Sequence, residues 1–236
     1  MANSLLVFLH GFGEDARIWE DFVPNFSWPY SYVCPNYAEW TDCNRISDYA
    51  QKLLAKLPKD ASLIIVGHSM GGYIALAMAE FFPDRIERVI LLHSTASADS
   101  EEKKNQREKT KSFFRVHGVR SFLGPFVSNL FAPAFVNSNP LLMRELSDRY
   151  VHLPAEALIA ATEAMKQRPD AWDFLEKTSL PFLFILGDED ALIPHEAILR
   201  GLEGKAKHKC VILNNVGHQG TYEAPNACFQ AIANFI

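Results

Sequence analysis

Ser62-Leu63-Ile64-Ile65-Val66-Gly67-His68-Ser69-Met70-Gly71-Gly72 is the stretch that decides the fold. The uninterrupted apolar run that opens it reads as a strand buried on both faces of a parallel sheet. Tyr73 to Glu80 is rich in helix formers and meets no breaker until Pro83. Between them lies G-x-S-x-G, a serine on a sharp strand-to-helix turn that squeezes its backbone into a sparsely populated conformation and needs small neighbours. Ser69 is therefore the candidate nucleophile; the competing reading is an ordinary helix N-cap serine.

A nucleophile of this kind needs a base and an acid. Pro181 to Leu186 reads as a further buried strand that ends in Gly187-Asp188-Glu189-Asp190, and Lys209 to Leu213 reads as another that leads into Asn214-Asn215-Val216-Gly217-His218. The chain order is Ser, acid, His, and each group falls where a strand gives way to a loop, the edge at which open parallel sheets bind ligands. His218 is the candidate general base. Asp190 is the candidate acid, with Asp188 the runner-up and Glu189 in the same loop. An earlier strand, Ser4 to Leu9, runs into His10-Gly11-Phe12-Gly13, where backbone N–H groups can face developing negative charge.

Taken together, His10-Gly11-Phe12-Gly13, the serine turn, Gly187-x-x-Asp190-x-x-x-Pro194, and Gly217-His218 followed by Glu223-x-Pro225 resemble the α/β-hydrolase superfamily. Within it, the chain resembles the small cap-bearing carboxylesterases, lactonases and C–C hydrolases. The resemblance implies a catalytic triad of Ser69, Asp190 and His218, and an oxyanion hole made by the backbone N–H groups of Phe12 and Met70. It favours Asp190 over Asp188, gives Glu223 and Pro225 the task of anchoring the last helix, and requires neither metal nor organic cofactor. The family's Gly-rich turn after the second strand is replaced here by Tyr32 to Trp40, which carries no glycine.

The remaining pattern alternates strand and helix: strands near 4–10, 30–34, 61–67 and 86–92, helices near 15–22, 45–57 and 70–82. This alternation predicts an α/β fold with a mostly parallel sheet and helices on both faces. From Ser94 to Thr178 no strand-like run appears. Helices are expected around Glu101–Lys109, Ser121–Phe131, Pro140–Val151 and Pro154–Lys166. The block reads as a helical cap, residues 94–178, inserted after the family's sixth strand position into a core formed by 1–93 and 179–236. Strands near 181–186 and 208–213 and helices near 195–202 and 222–235 complete the core.

The 236 residues carry a formal net charge of −5 and are 48% hydrophobic, which gives no electrostatic case for nucleic acid or an anionic membrane. No stretch approaches the roughly 20 apolar residues of a membrane span. Met1-Ala2-Asn3-Ser4 lacks the charged start of a signal peptide, so a cytoplasmic protein is expected, with Cys34, Cys43, Cys210 and Cys228 reduced and without metal-ligand spacing. His68 is expected to pack beneath the serine turn, His10 to have a structural place in its loop, His195 to start a surface helix, and His93 and Ser94 to end the sixth strand, with a view into the pocket as the minority reading. Phe113, Phe114, Phe122, Phe126, Phe131 and Phe135 are expected to be mostly packing residues, some lining an apolar pocket.

The activity expected from this reading is hydrolysis of a small, largely apolar ester, thioester or lactone through an acyl-serine. C–C bond hydrolysis, acyl transfer and perhydrolysis share the triad. Ser69 argues against the related dehalogenases and epoxide hydrolases, which use aspartate there. A slow-turnover receptor that signals through its cap is the expectation of another class, and its test is turnover.

Overall fold

A computed structural model describes residues 4–236; the reading of Met1–Asn3 as no leader start lies outside them. Six strands, β1 (Ser4–Leu9), β2 (Ser31–Val33), β3 (Ser62–His68), β4 (Ile86–Leu92), β5 (Phe182–Gly187) and β6 (Lys209–Leu213), form one sheet in the order β2-β1-β3-β4-β5-β6. All five pairings are parallel. The alternation predicts a mostly parallel sheet; between the described strands it is wholly so. The strand expected at the sixth position is fourth in chain order, because this sheet opens directly on the strand that carries the His10-Gly11 loop.

Successive side chains of a strand point to opposite faces, and the two cores divide accordingly. Leu5, Val7, Leu9, Leu63 and Ile65 pack on one side against α2 (Ile46–Leu54) and α3 (Met70–Phe81). Leu6, Phe8, Ile64 and Val66 pack on the other against α1 (Arg17–Glu20) and α11 (Pro225–Ala233). A strand that must be apolar on both faces cannot alternate, which is why β1 and β3 read as continuous apolar runs.

Between β4 and β5 lie α4 (Glu101–Ser128), α5 (Pro133–Ser138), α6 (Pro140–Tyr150), α7 (Ala155–Gln167) and α8 (Trp172–Lys177). The expected helices at 101–109 and 121–131 are one run broken at Gly118, whose φ of 73° and ψ of 176° belong to a region nearly closed to other residues. The break turns the second half so that Val119, Leu123 and Val127, one stripe at i, i+4, i+8, are buried. The helices at 133–138 and 172–177 have no counterpart in the sequence reading; each is only six residues long, too short for periodicity to register.

Two further expectations are corrected. The helix near 15–22 shrinks to Arg17–Glu20, followed by a 3₁₀ turn at Val23–Asn25. The closing helix near 222–235 is two pieces, α10 (Gly220–Glu223) and α11, divided at Ala224 with φ −143°. A helix tolerates proline only in its first turn, and the residue before a proline is pushed toward extended backbone; Pro225 follows Ala224 directly. The remaining helix of the core, α9 (His195–Leu202), lies where expected.

Gly118→Ala should destabilise the protein by about 1–3 kcal/mol through backbone strain alone, although a methyl group there would meet nothing within 4 Å. At about 2–4 °C per kcal/mol for a chain of this size, thermal unfolding should fall by several degrees. An unchanged midpoint would contradict the broken-helix geometry.

Candidate functional site

Because the strands are parallel, the loops after β1, β3, β4, β5 and β6 all leave from one edge, and the candidate residues meet there. Ser69 holds φ 52° and ψ −115° at the head of α3, a conformation that costs on the order of 1–3 kcal/mol and must be imposed by its surroundings. The imposition is visible. The Ser69 N–H donates to the Leu92 carbonyl at 2.9 Å, the Ser94 hydroxyl donates to the Ser69 carbonyl at 2.8 Å, and a Cβ at Gly71 would sit 2.3 Å from the Leu9 carbonyl oxygen. Only glycine lets α3 approach β1 so closely.

The Ser69 hydroxyl lies 2.8 Å from His218 Nε2, and His218 Nδ1 lies 2.7 Å from Asp190 Oδ2. Asp190 is buried; its Oδ1 accepts the backbone N–H groups of Leu192 and Ile193, each at 2.9 Å. Burial opposes its ionisation, but the His218 ring and its hydrogen bond outweigh burial and hold the carboxyl far below the usual range. The carboxylate therefore accepts from Nδ1–H, which leaves Nε2 free to accept the Ser69 hydroxyl proton. Asp188 and Glu189 are exposed. Asp188 instead accepts the Val216 N–H at 3.2 Å, tying the β5 loop to the β6 loop.

Phe12 and Met70 flank the serine. Met70 opens α3, where first-turn N–H groups have no intrahelical acceptor, and Phe12 lines the same cavity as Ser69. That cavity, of about 380 Å³, is walled by Phe122, Phe126, Leu130, Met165 and Ile193 among others, within the size and apolar character usual for small-molecule sites. Of the aromatic residues between β4 and β5, Phe122 and Phe126 line it, whereas Phe114 is buried in the packing of α4 against α6 and α7.

His68, expected simply to pack beneath the turn, has a larger place. Its Nδ1 lies 2.6 Å from Glu14 Oε1 and its Nε2 2.9 Å from the His218 carbonyl oxygen. Both partners are acceptors, so both ring nitrogens carry protons and His68 is an imidazolium facing a Glu14 carboxylate. Burial opposes both charges; each partner overrides it for the other, raising His68 above the usual imidazole range and lowering Glu14 below its own. Glu14 also accepts the Gly11 N–H at 2.5 Å and the Gln219 side-chain amide at 3.2 Å. One buried pair thus ties together the β1, β3 and β6 loops. No motif in the sequence singles out Glu14.

The minority reading of His93 and Ser94 as pocket residues fails: His93 is fully buried behind Asp190 and His218 and does not line the cavity, nor does Ser94. Its Nε2 accepts the Gly220 N–H at 3.1 Å, so the proton sits on Nδ1, which faces Asp190 Oδ2 at 3.5 Å, an electrostatic contact rather than a formed hydrogen bond. Burial pushes its ring down to about 4, so it stays neutral. His93, Asp190 and His218 are close enough to hold a cation, but both imidazole nitrogens that face the carboxylate carry protons, and the trio is committed to itself. His10 is structural, as expected, stacked on Tyr37 with ring centroids 3.8 Å apart. Glu223 accepts the N–H groups of Gly217, Gln219 and Ala132 at about 3 Å, anchoring the histidine loop. Cys34, Cys43, Cys210 and Cys228 are free thiols.

A sequence model of the Alpha/beta hydrolase family matches residues 6–231. A pimeloyl-[acyl-carrier protein] methyl ester esterase of Neisseria meningitidis is 26% identical over 222 residues, covering 89% of this chain and 84% of that protein. A 2-hydroxy-6-oxononadienedioate/2-hydroxy-6-oxononatrienedioate hydrolase of Escherichia coli is 25% identical over 259 residues, covering 99% and 87%. Among solved structures, a thermophilic esterase from Thermogutta terrifontis superposes with a TM-score of 0.89 at 24% identity, covering 99% of this chain and 89% of that one. No helix among the described residues is long and apolar enough to cross a membrane.

Glu14→Gln should lower stability by about 3 kcal/mol, because it strands a buried imidazole that needs its partner. The loss should depend on pH. His68, raised in the folded state, stabilises fully below its unfolded value near 6.5 and loses that contribution as pH rises through its folded value; Glu14, lowered, contributes above its unfolded value near 4.5 and loses it as pH falls through its folded value. The gap in unfolding temperature between wild type and variant should therefore be widest between about pH 4.5 and 6.5 and shrink in alkali. A gap that does not vary from pH 5.5 to 9 would contradict the charged pair.

Proposed function

The chain belongs to the alpha/beta hydrolase family and is a hydrolase, and from that premise we propose that it cleaves a small, largely apolar ester, thioester or lactone through an acyl-serine. The observation that carries the reading is the unbroken array from the Ser69 hydroxyl through His218 to Asp190, which opens onto an apolar cavity. Ser69 Oγ attacks the substrate carbonyl carbon as His218 Nε2 takes its proton. The oxyanion of the tetrahedral intermediate accepts the N–H groups of Phe12 and Met70, and His218 returns the proton to the leaving oxygen or sulfur as the acyl-serine forms. Water, deprotonated by the same Nε2, then attacks the acyl carbon, and the acid leaves as Ser69 regains its proton.

Asp190 keeps the imidazole in the tautomer that can accept from serine and stabilises the imidazolium that forms. His93, neutral with Nδ1–H toward the same carboxylate, adds no charge that would compete with that imidazolium. Residues 94–178 act as a cap in this proposal: they supply Phe122, Phe126 and Leu130 to the wall and keep water from the acyl group until hydrolysis. The names of the relatives support the reading, since one is a methyl ester esterase and another is a hydrolase. The proposed site needs no metal or organic cofactor and takes its substrate as a small molecule.

Wild-type protein should take up a serine-directed fluorophosphonate stoichiometrically, and Ser69→Ala should take up none. On a panel of nitrophenyl esters and lactones, Ser69→Ala and His218→Ala should each lose on the order of 10⁶ in turnover. A panel of 2-hydroxy-6-oxo acids tests the substrate class named by the Escherichia coli relative. Equal labelling of wild type and Ser69→Ala would contradict the assignment of the nucleophile.

A further inference from the structure

We propose that the rim of this cavity is an anion subsite, built to receive a carboxylate that the substrate carries away from its scissile carbonyl. The inference deepens the hydrolase reading and rests on it. The first turns of α4 turn Lys103, Gln106, Arg107 and Thr110 toward the cavity. Their spacing, i, i+3, i+4 and i+7, is that of one helix face, so a polar stripe looks onto a chamber whose other walls are mainly phenylalanine and aliphatic residues. A stripe of this composition gains nothing from an apolar acyl chain.

The charges at this rim do not balance. Asp99, buried behind the stripe, is the cavity-lining carboxylate left for these cations, since Glu14 is already paired with His68, and two guanidiniums share it: Arg107 Nε donates to Oδ2, and Arg168 Nη2 lies 2.9 Å from Oδ1. Arg168 is otherwise committed, donating to the carbonyls of Ser97 at 3.1 Å and Met165 at 2.8 Å and lying 4.1 Å from the centre of the Tyr73 ring. Lys103 reaches only the Leu192 carbonyl, at 3.4 Å, and among the described residues no carboxylate lies within ion-pair distance of it. Three cations therefore meet one anion. In two other clusters involving the same insertion the charges match: Lys111 and Lys166 share Glu108 and Glu163, and Arg149 lies between Asp21 and Glu145. The excess sits at the cavity that holds Ser69.

The missing partner is an anion, and a flat carboxylate fits first. Asp99 already shows one held by these guanidiniums, and Arg107, engaged through Nε, has further N–H donors for a second. The same cavity that joins this stripe to Ser69 is lined also by the apolar side chains of Phe126, Met165 and Ile193. The occupant is thus an ester or thioester with a hydrocarbon middle, its reacting carbonyl at Ser69 and its carboxylate at Lys103 and Arg107.

The test compares kcat/KM for the mono-p-nitrophenyl ester of suberate with that for p-nitrophenyl octanoate, which has the same chain length and no terminal charge. The ratio of the two should fall about three- to tenfold in Lys103→Gln and about tenfold or more in Arg107→Gln. It should hold in Lys104→Gln, which removes a charge that faces Glu101 rather than the cavity. It should also narrow as ionic strength rises from about 0.02 M to about 0.5 M. Lys103 is exposed and its loss leaves the packing intact, so that variant stays informative if Arg107→Gln fails to fold. An unchanged ratio in Lys103→Gln, or an equal fall in Lys104→Gln, overturns the subsite; a phosphonate-ended ester preferred over the carboxylate overturns its assignment to carboxylates. Inactivity toward both esters with no labelling of Ser69 would instead sink the hydrolase reading. Calorimetry of suberate with the Ser69→Ala protein reads the subsite without turnover: binding weakened by Lys103→Gln sustains it, and binding indifferent to that change refutes it.

Discussion

Glu14 and His68 form a buried charge pair, and the arrangement of the site depends on it. A lone carboxylate or imidazolium inside a protein is costly, and it is kept only when a partner and hydrogen bonds satisfy it. Here the remaining valences of the pair reach two further loops: the Gly11 amide in the β1 loop, and the His218 carbonyl and the Gln219 side chain in the β6 loop, with His68 itself at the end of β3. The pair can be satisfied in one mutual placement of those loops and in few others. That placement is the one in which Ser69 Oγ and His218 Nε2 are within hydrogen-bond reach.

A second set of constraints acts through main-chain crowding. The strained turn at Ser69 is held by the Leu92 carbonyl from β4 and by the close passage of Gly71 past Leu9, so the serine is aimed by two neighbouring strands rather than by its own helix. On the far side, Glu223 draws the histidine loop and Ala132 of the insertion together through one carboxylate, which burial pushes up from its usual value. The insertion is thereby fixed to the core at the point where His218 emerges. Its first helix brings Lys103 and Arg107 to the cavity, where Arg107 and Arg168 share the carboxylate of Asp99.

The parts of this arrangement that were legible in the sequence are those written in local patterns. Continuous apolar runs locate β1, β3 and β5, because a strand covered on both faces leaves no alternation to misread. The glycines around Ser69 located the turn, and chain order located His218. Choosing Asp190 over Asp188 and Glu189 required the resemblance, since spacing alone could not say which carboxyl turns inward; burial of Asp190 and exposure of its two neighbours supply the physical answer. Glu14 stayed hidden because an acidic residue in a loop is ordinarily solvated, and its partner lies 54 positions away. The division of the last helix was available in principle from Pro225, which restricts Ala224. The break at Gly118 was not, because a glycine inside a helical pattern is often tolerated.

His68 is charged inside the fold at neutral pH, clamped between Glu14 and the His218 carbonyl. Nitrogen-15 NMR of the histidine side chains reads this directly, since it reports the protonation of each ring nitrogen. At neutral pH His68 should show two protonated nitrogens, and His93 should be neutral and protonated on Nδ1 alone. A His68 ring with one bare nitrogen at that pH would contradict it.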